Sequence, residues 1–305
     1  MKRSSDRTLP LALSAGLASV AVAAVLVALK LWALGETGSL SIAASLADSA
    51  LDLMMSLAAA VAILYAALPA DDDHAFGHTS VEDLTALAQA AVILASAGAI
   101  AWTAVLRLLA PVPHQLAAEG RGVVVMGVSI TLTLALVWWQ GRVARRTGSR
   151  VVAADRLHYL GDLLPSVGAI VALSVSGWVG TGWLDAVVAL AASGFLAYGA
   201  IGIGKGAWDA LMDRAADPRL VAGIADLART WPGVLGFHDL KTRTAGSRVF
   251  VHLHIELDGE LTLRAAHDIG AGLRRTILAA YPQTDVIIHK DVHDPSRPAA
   301  KDGTH

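Results

Sequence analysis

Cysteine is missing altogether, which removes disulfides, thiolate metal sites and thiol nucleophiles together. Any metal bound by this chain must therefore be held by His, Asp or Glu. Charge is also scarce: Asp, Glu, Lys and Arg make up 16% of the 305 residues against 55% hydrophobic ones, and mean hydropathy is +0.55. A soluble globule of this size rarely shows that balance, whereas a multi-span membrane protein needs it. A formal net charge of -2 leaves no global basic field and argues against nucleic acid as a partner. There is no HExxH motif and no dense set of HxxH or HxxxH motifs, so the frameworks of membrane metallohydrolases and di-iron oxidases are not in view. No fixed-period repeat and no low-complexity tract stand out beyond an Ala/Leu/Val bias.

What the chain has instead is long apolar runs, at roughly 9–34, 40–68, 84–110, 122–140, 151–177 and 183–206. Each is near the ~20 residues that cross ~30 Å of hydrocarbon at 1.5 Å per residue. The reading is six transmembrane helices over 1–206. The first run follows Lys2, Arg3 and Arg7 and is too long for a signal-peptide core, so it is read as an uncleaved span. Pro69 closes the second run, Pro111 and Pro113 the third, and three glycines from Gly177 to Gly182 precede the sixth. Arg142, Arg145, Arg146 and Arg150 crowd the loop between the fourth and fifth runs. Basic residues are retained on the cytoplasmic side, which places both termini in the cytoplasm.

After about Ala207 the composition becomes that of a soluble domain, 207–293, of ~85 residues, large enough for a small core. An amphipathic helix at about 217–231 is stopped by Pro232 and Gly233. Strands follow at 236–243 and 247–257, the second turning Val249, Val251, Leu253, Ile255 and Leu257 inward. A helix at about 262–280 and a strand at 285–289 complete a small α+β domain in the order α-β-β-α-β. The polar, Pro- and Gly-containing tail 294–305 is expected to be disordered.

Ionisable groups inside the apolar runs carry the chemistry. Asp48 and Asp52 lie four apart, so both carboxylates fall on one helical face. One Asp at a span centre costs roughly 2.5–3.5 kcal/mol on insertion scales, and two unpaired ones would cancel much of the segment's insertion energy. His158 and Asp162 repeat the spacing in the fifth run, and the two faces together offer one tetrahedral site of one nitrogen and three oxygens, which suits Zn²⁺. Local pairing with Ser45 or Ser49 is the alternative. A second group, Asp71, His74 and His78, has ligand spacing in an acidic loop that also fits a plain solvated charge run. In the soluble domain His238 opens a strand, His252 and His254 share the polar face of the next, His267 lies on the helix, and His289 and Asp291 end the last strand. Spacing alone leaves open whether these bind metal or sit on the surface.

The stretches Leu46–Asp52, Asp71–His78, Ala154–Asp162 and Asp285–His289, holding DxxxD, the FGH loop and HxxxD, resemble the cation diffusion facilitator family and its bacterial zinc- and iron-transporting members. The resemblance runs from the first span to about His293. It implies a transport site of Asp48, Asp52, His158 and Asp162 and a loop site of Asp71, His74 and His78. It also implies a two-metal cluster of His238, His254, His267, His289 and Asp291 in a cytoplasmic domain that helps hold a homodimer. Two features depart from the relatives: the first is Ser80, which stands where they carry the basic half of an interprotomer ionic lock whose acidic half corresponds to Asp213. Lys290 follows the final-strand His, and an ammonium there is expected to disfavour a second metal ion.

The implied activity is efflux of a divalent transition metal, Zn²⁺ first and Cd²⁺, Fe²⁺ or Co²⁺ next, across a bacterial-type inner membrane in exchange for protons. Zn²⁺ is then both cargo and a structural or regulatory ligand. Protons and metal compete for the same carboxylates and imidazole, which is the basis of coupling. Two other readings belong to different classes. A membrane metalloenzyme would use the same ligands catalytically, but no further residue looks like a general base. A metal receptor without transport would leave the buried carboxylates unexplained.

Overall fold

Six helical segments follow one another through the first two thirds of the chain in the computed structural model, which describes residues 5–37, 40–109, 120–163 and 183–294. They are α1 (Ser5–Thr37), α2 (Leu40–Ala66), α3 (Ser80–Leu109), α4 (Gly120–Thr147), α5 (150–163) and α6 (Trp183–Leu211). Within α1, α2, α3 and α6, the stretches Pro10–Gly35, Asp48–Ala66, Ser80–Leu106 and Ala186–Leu211 are each long and apolar enough to cross a bilayer. α4 spans 28 residues and carries Arg145 and Arg146 in its last turn. The later part of the fifth predicted run, and the tail from 295, lie outside the described residues. Contacts divide the chain into one unit, Leu9–Trp208, and another built on residues from Asp209 onward.

The helical unit is apolar on its outside. Met54, Val61, Trp102 and Tyr198 are exposed by 61% or more, as expected of side chains that meet lipid rather than water. Its interior is built from small residues, which let helix backbones approach closely. On one side, α5 packs with α1, α2 and α4 through Ala12, Ala15, Ala59, Ile63, Val143, Val151 and Val152. On the other it meets α3 and α6 through Ala86, Ala154 and Ala207, and through Leu157 against Leu196 and Ala200. A Cβ on Gly199 would stand 2.9 Å from Leu157 Cδ2, so any larger residue there would make the Leu157 side chain shift.

Polar contacts fix how α5 is rotated. Asp155, almost fully buried, accepts from Ser19 Oγ of α1 at 2.5 Å and from Gln140 Nε2 of α4 at 2.7 Å. One turn on, Tyr159 Oη donates to the Ser19 carbonyl at 3.3 Å and is 2.9 Å from Ser56 Oγ of α2. Near its start Arg150 pairs with the buried Asp83 of α3 at 2.5 Å.

The second unit has the element order read from the sequence: α7 (Pro218–Thr230), β1 (Gly236–Ala245), β2 (Arg248–Leu257), α8 (Leu263–Ala280) and β3 (Thr284–Val292). Asp217 caps α7 by accepting from the Arg219 N–H, with Pro218 pre-set for the first helical position. The sheet order is β1-β2-β3, with β1 antiparallel and β3 parallel to β2. A parallel neighbour requires a crossover, which α8 supplies. Val251, Leu253 and Ile255 are fully buried and meet Ile224, Leu273 and Ile277 of the helices. The opposite face of the sheet carries Phe250, His252, His254 and Glu256 of β2.

Candidate metal sites

The rotation that Asp155 and Tyr159 impose on α5 turns His158 and Asp162 toward α2, because residues three, four and seven apart share a helix face. His158 Nε2 is 3.0 Å from Asp52 Oδ1. One ligand atom each from Asp52, His158 and Asp162 lie within 4.8 Å of one another. Asp48, one turn earlier on α2, lies outside that group. The group borders a cavity of about 90 Å³ whose walls include Asp52, Asp162, Tyr159, Thr133, Ser49 and Lys30. Two carboxylates and an imidazole converge here, a set of three donors able to hold a metal ion. Lys30 of α1 was not among the residues the sequence singled out. A lone basic residue inside an apolar run was the signal for it.

The loop between α2 and α3 is closed on itself. Asp71 Oδ1 accepts from the His74 backbone N–H at 2.6 Å and lies 3.2 Å from its Nδ1, while Asp71 Oδ2 is 3.3 Å from His78 Nε2. The His74 backbone N–H is the main reason the Asp71 carboxyl is held below its ordinary value. Gly77 has φ +85°, a conformation that suits glycine and turns the loop back into α3. His78 is buried and stacks edge-on against Tyr65, with ring centroids 4.7 Å apart. Asp71, His74 and His78 therefore stand together as three potential ligands, the first two exposed and His78 buried.

On the open face of the sheet, His238, His254 and Asp291 form a third such group. Asp291 Oδ2 is 2.9 Å from His254 Nδ1 and 3.3 Å from His238 Nε2, and His289 Nε2 reaches its other oxygen at 3.2 Å. A bulge between His238 and Lys241, with Asp239 at φ 50°, keeps His238 paired with His254 across the strands. His267 is exposed on α8 and is not part of the group. Its helix covers the other face of the sheet.

Two residues join this cluster that the sequence reading passed over. Glu256 lies 3.1 Å from His238 Nδ1 through one oxygen and 2.7 Å from His293 Nδ1 through the other. Glu256 was findable as the next residue along the polar face of β2 after His254. The expectation for Lys290 is corrected. A Cβ on Gly270 of α8 would stand 2.7 Å from Lys290 Cε, so the lysine lies over α8, while His289 and Asp291 turn to the open face. The ammonium is thus on the side of the sheet opposite His289 and Asp291. Asp213 pairs with Arg243 at 3.1 Å.

Residues 16–212 match the family described as the cation efflux transmembrane domain, and 216–293 the cation efflux protein, cytoplasmic domain. A cation-efflux pump FieF of Klebsiella pneumoniae is 40% identical over 291 residues, covering 95% of each chain. A cation-efflux pump FieF of Escherichia coli is 39% identical over 277 residues, covering 91% of each. A solved MamM-CTD structure aligns over 25% of this chain and 96% of its own, at 21% identity and TM-score 0.24.

Proposed function

The chain belongs to the cation efflux family, and from that premise we propose that it exports Zn²⁺ from the cytoplasm in exchange for protons. Its relatives are cation-efflux pumps, and it is a membrane-embedded cation-efflux transporter rather than an enzyme. The observation that carries the finer reading is the convergence of Asp52, His158 and Asp162 between α2 and α5. Asp48, on the same face of α2 as Asp52, is the fourth ligand in this reading. Imidazole with carboxylates suits Zn²⁺, Cd²⁺, Fe²⁺ or Co²⁺ and disfavours Mg²⁺ and Ca²⁺.

Coupling follows from the 3.0 Å contact between His158 and Asp52. A proton shared there occupies the lone pairs that a cation needs, so loading requires its departure and protonation from an acidic outside expels the ion. Tilting of α2 and α5 together alternates access to the fixed donors. The transport unit is residues 1–206, both termini are cytoplasmic, and the membrane is a bacterial inner membrane. Domain 207–293 holds a homodimer, and the imidazoles and carboxylate of its open sheet face are the donor set for a regulatory Zn²⁺; the tail 294–305 takes no part. The loop donors Asp71, His74 and His78 form a further binding point.

The test is Zn²⁺ flux into proteoliposomes under a pH gradient, native chain against Asp52→Ala. Gradient-dependent flux that vanishes in the variant supports the reading. Absence of flux for Zn²⁺, Cd²⁺, Fe²⁺ and Co²⁺ with folded native protein overturns it.

A further inference from the structure

Lys30 has no task in the mechanism above, yet it stands at its centre. It lies within the membrane-length stretch of α1, borders the same cavity as Asp52 and Asp162, and donates from Nζ to Ser49 Oγ at 2.7 Å. Burial strips its charge of water, and the carboxylates of Asp52, Asp48 and Asp162 only partly compensate. Ser49 adjoins Asp48 in sequence and is itself buried, so this hydrogen bond holds the ammonium next to the α2 ligands instead of letting it reach toward a headgroup. An ammonium inside a span is costly to place and is a functional residue by default.

We propose that Lys30 is a fixed counter-cation of the transport site that lowers its affinity for the divalent cargo enough for the ion to leave. The inference rests on the transport-site reading given above. Three ionised carboxylates, one ammonium and one divalent cation carry no net charge together, the state a low-dielectric interior favours. Without the ammonium the same carboxylates face the cargo with no competing positive charge. Even in a water-like dielectric near 80, removing one unit charge about 6 Å from a divalent ion tightens binding by roughly tenfold, and by more as the dielectric falls. Affinity then rises and release slows. A variant that merely damaged the site would bind more weakly, so the direction of the change separates electrostatics from structural loss.

The experiment uses the full chain in a His74→Ala, His254→Ala background, which silences the loop and the sheet cluster. Zn²⁺ affinity is measured by competition with a chromophoric chelator for the parent and for Lys30→Gln, Lys30→Met and Lys30→Arg, each with and without Asp52→Ala. Size-exclusion chromatography identifies which variants are folded, and Lys30→Met serves if Lys30→Gln is not. The expected result is an Asp52-dependent affinity at least about tenfold tighter in the neutral variants, slower Zn²⁺ flux, and values within about threefold of the parent in Lys30→Arg. Unchanged or weaker binding in the folded neutral variants overturns the proposal, as does tightening in Lys30→Arg equal to theirs. If Asp52→Ala removes no Zn²⁺ binding from the parent, the transport-site reading itself has failed, and the role of Lys30 fails with it.

Discussion

Substituting Glu256 tests whether the open sheet face is a metal cluster or a group of surface histidines. Its two oxygens lie 3.1 Å from His238 Nδ1 and 2.7 Å from His293 Nδ1. A carboxylate accepting from Nδ1–H fixes the tautomer in which Nε2 keeps its lone pair, and His238 Nε2 is the atom that faces Asp291, at 3.3 Å. Losing such an outer carboxylate typically costs 10–100-fold in metal affinity, or about 1.4–2.8 kcal/mol. Glu256 is 20% exposed, so water takes over part of its role, and an amide oxygen in Glu256→Gln still accepts one hydrogen bond. We therefore expect Glu256→Gln at the low end, near tenfold, and Glu256→Ala nearer the high end. The assay is Zn²⁺ titration of the full chain carrying Asp52→Ala and His74→Ala, with thermal unfolding of the metal-free protein as control. That control should move by no more than a hydrogen bond's worth, about 0.5–1.5 kcal/mol. Zn²⁺ affinity within twofold of the parent for Glu256→Ala refutes the reasoning, because His238 would then be no metal ligand or would need no orientation.

Three other outcomes follow from the same geometry. Arg150→Met removes the 2.5 Å partner of the buried Asp83, and because Arg150 is itself 31% exposed the cost is about 1.5–3 kcal/mol, the scale of a hydrogen bond to a charged group; Arg150→Met with Asp83→Leu should recover most of it, as read by thermal stability in detergent. The Asp71 carboxyl is held below 3.8, first by the His74 backbone N–H, so the loop fold it supports is complete above that value and is lost only as pH falls through the depressed one. The His74 amide chemical shift should report this, and an Asp71→Asn chain that titrates identically would contradict it. His158→Asp turns the donor set all-oxygen and should raise Mn²⁺ relative to Zn²⁺ transport, with roughly tenfold as the scale for one lost charge-assisted ligand contact; competition flux measures it.

The sequence was most informative where environment and residue type clash. Asp52, His158 and Asp162 stand out because a charge is costly in a span, and period-4 spacing says which face they share. Strand faces were equally legible, since Val249, Val251, Leu253, Ile255 and Leu257 are all buried in β2 as their alternation implies. Lys30 was harder, because it lies close to the end of its run, where lysines ordinarily extend to the headgroups. Only the proximity of α2 shows that it turns inward. Glu256 and His293 meet through the parallel pairing that sets Leu257 beside Val292, a contact across α8 that no local pattern encodes. The positive φ of Asp239 and the bulge that aligns His238 with His254 are likewise products of the sheet, not of its first strand alone.

The packing also bears on how α5 would move in the proposed transport cycle. Toward α1, α2 and α4 it is tied by hydrogen bonds at Asp155 and Tyr159, each closed in a low-dielectric interior and costly to open. Toward α3 and α6 the described contacts are small and apolar, Ala86, Ala154, Ala207 and Leu157 over Gly199. Arg150 with Asp83 is the described exception, at the start of the helix. Sliding along the apolar side loses little, because van der Waals contacts re-form after a shift, whereas a broken buried hydrogen bond leaves both partners unsatisfied. The slip plane of alternating access should therefore run between α5 and the α3–α6 side, with the ion pair as its pivot. Since the chain has no cysteine, paired substitutions test this without background. A disulfide from Leu157→Cys with Gly199→Cys, across the expected plane, should abolish Zn²⁺ flux. One from Gly16→Cys with Ala60→Cys, joining α1 to α2 where the Gly16 Cβ position is 3.4 Å from Ala60, should leave flux largely intact. If the first bridge forms and flux persists, α5 does not slip there, and the hydrogen bonds to α1, α2 and α4 are what must break in each cycle.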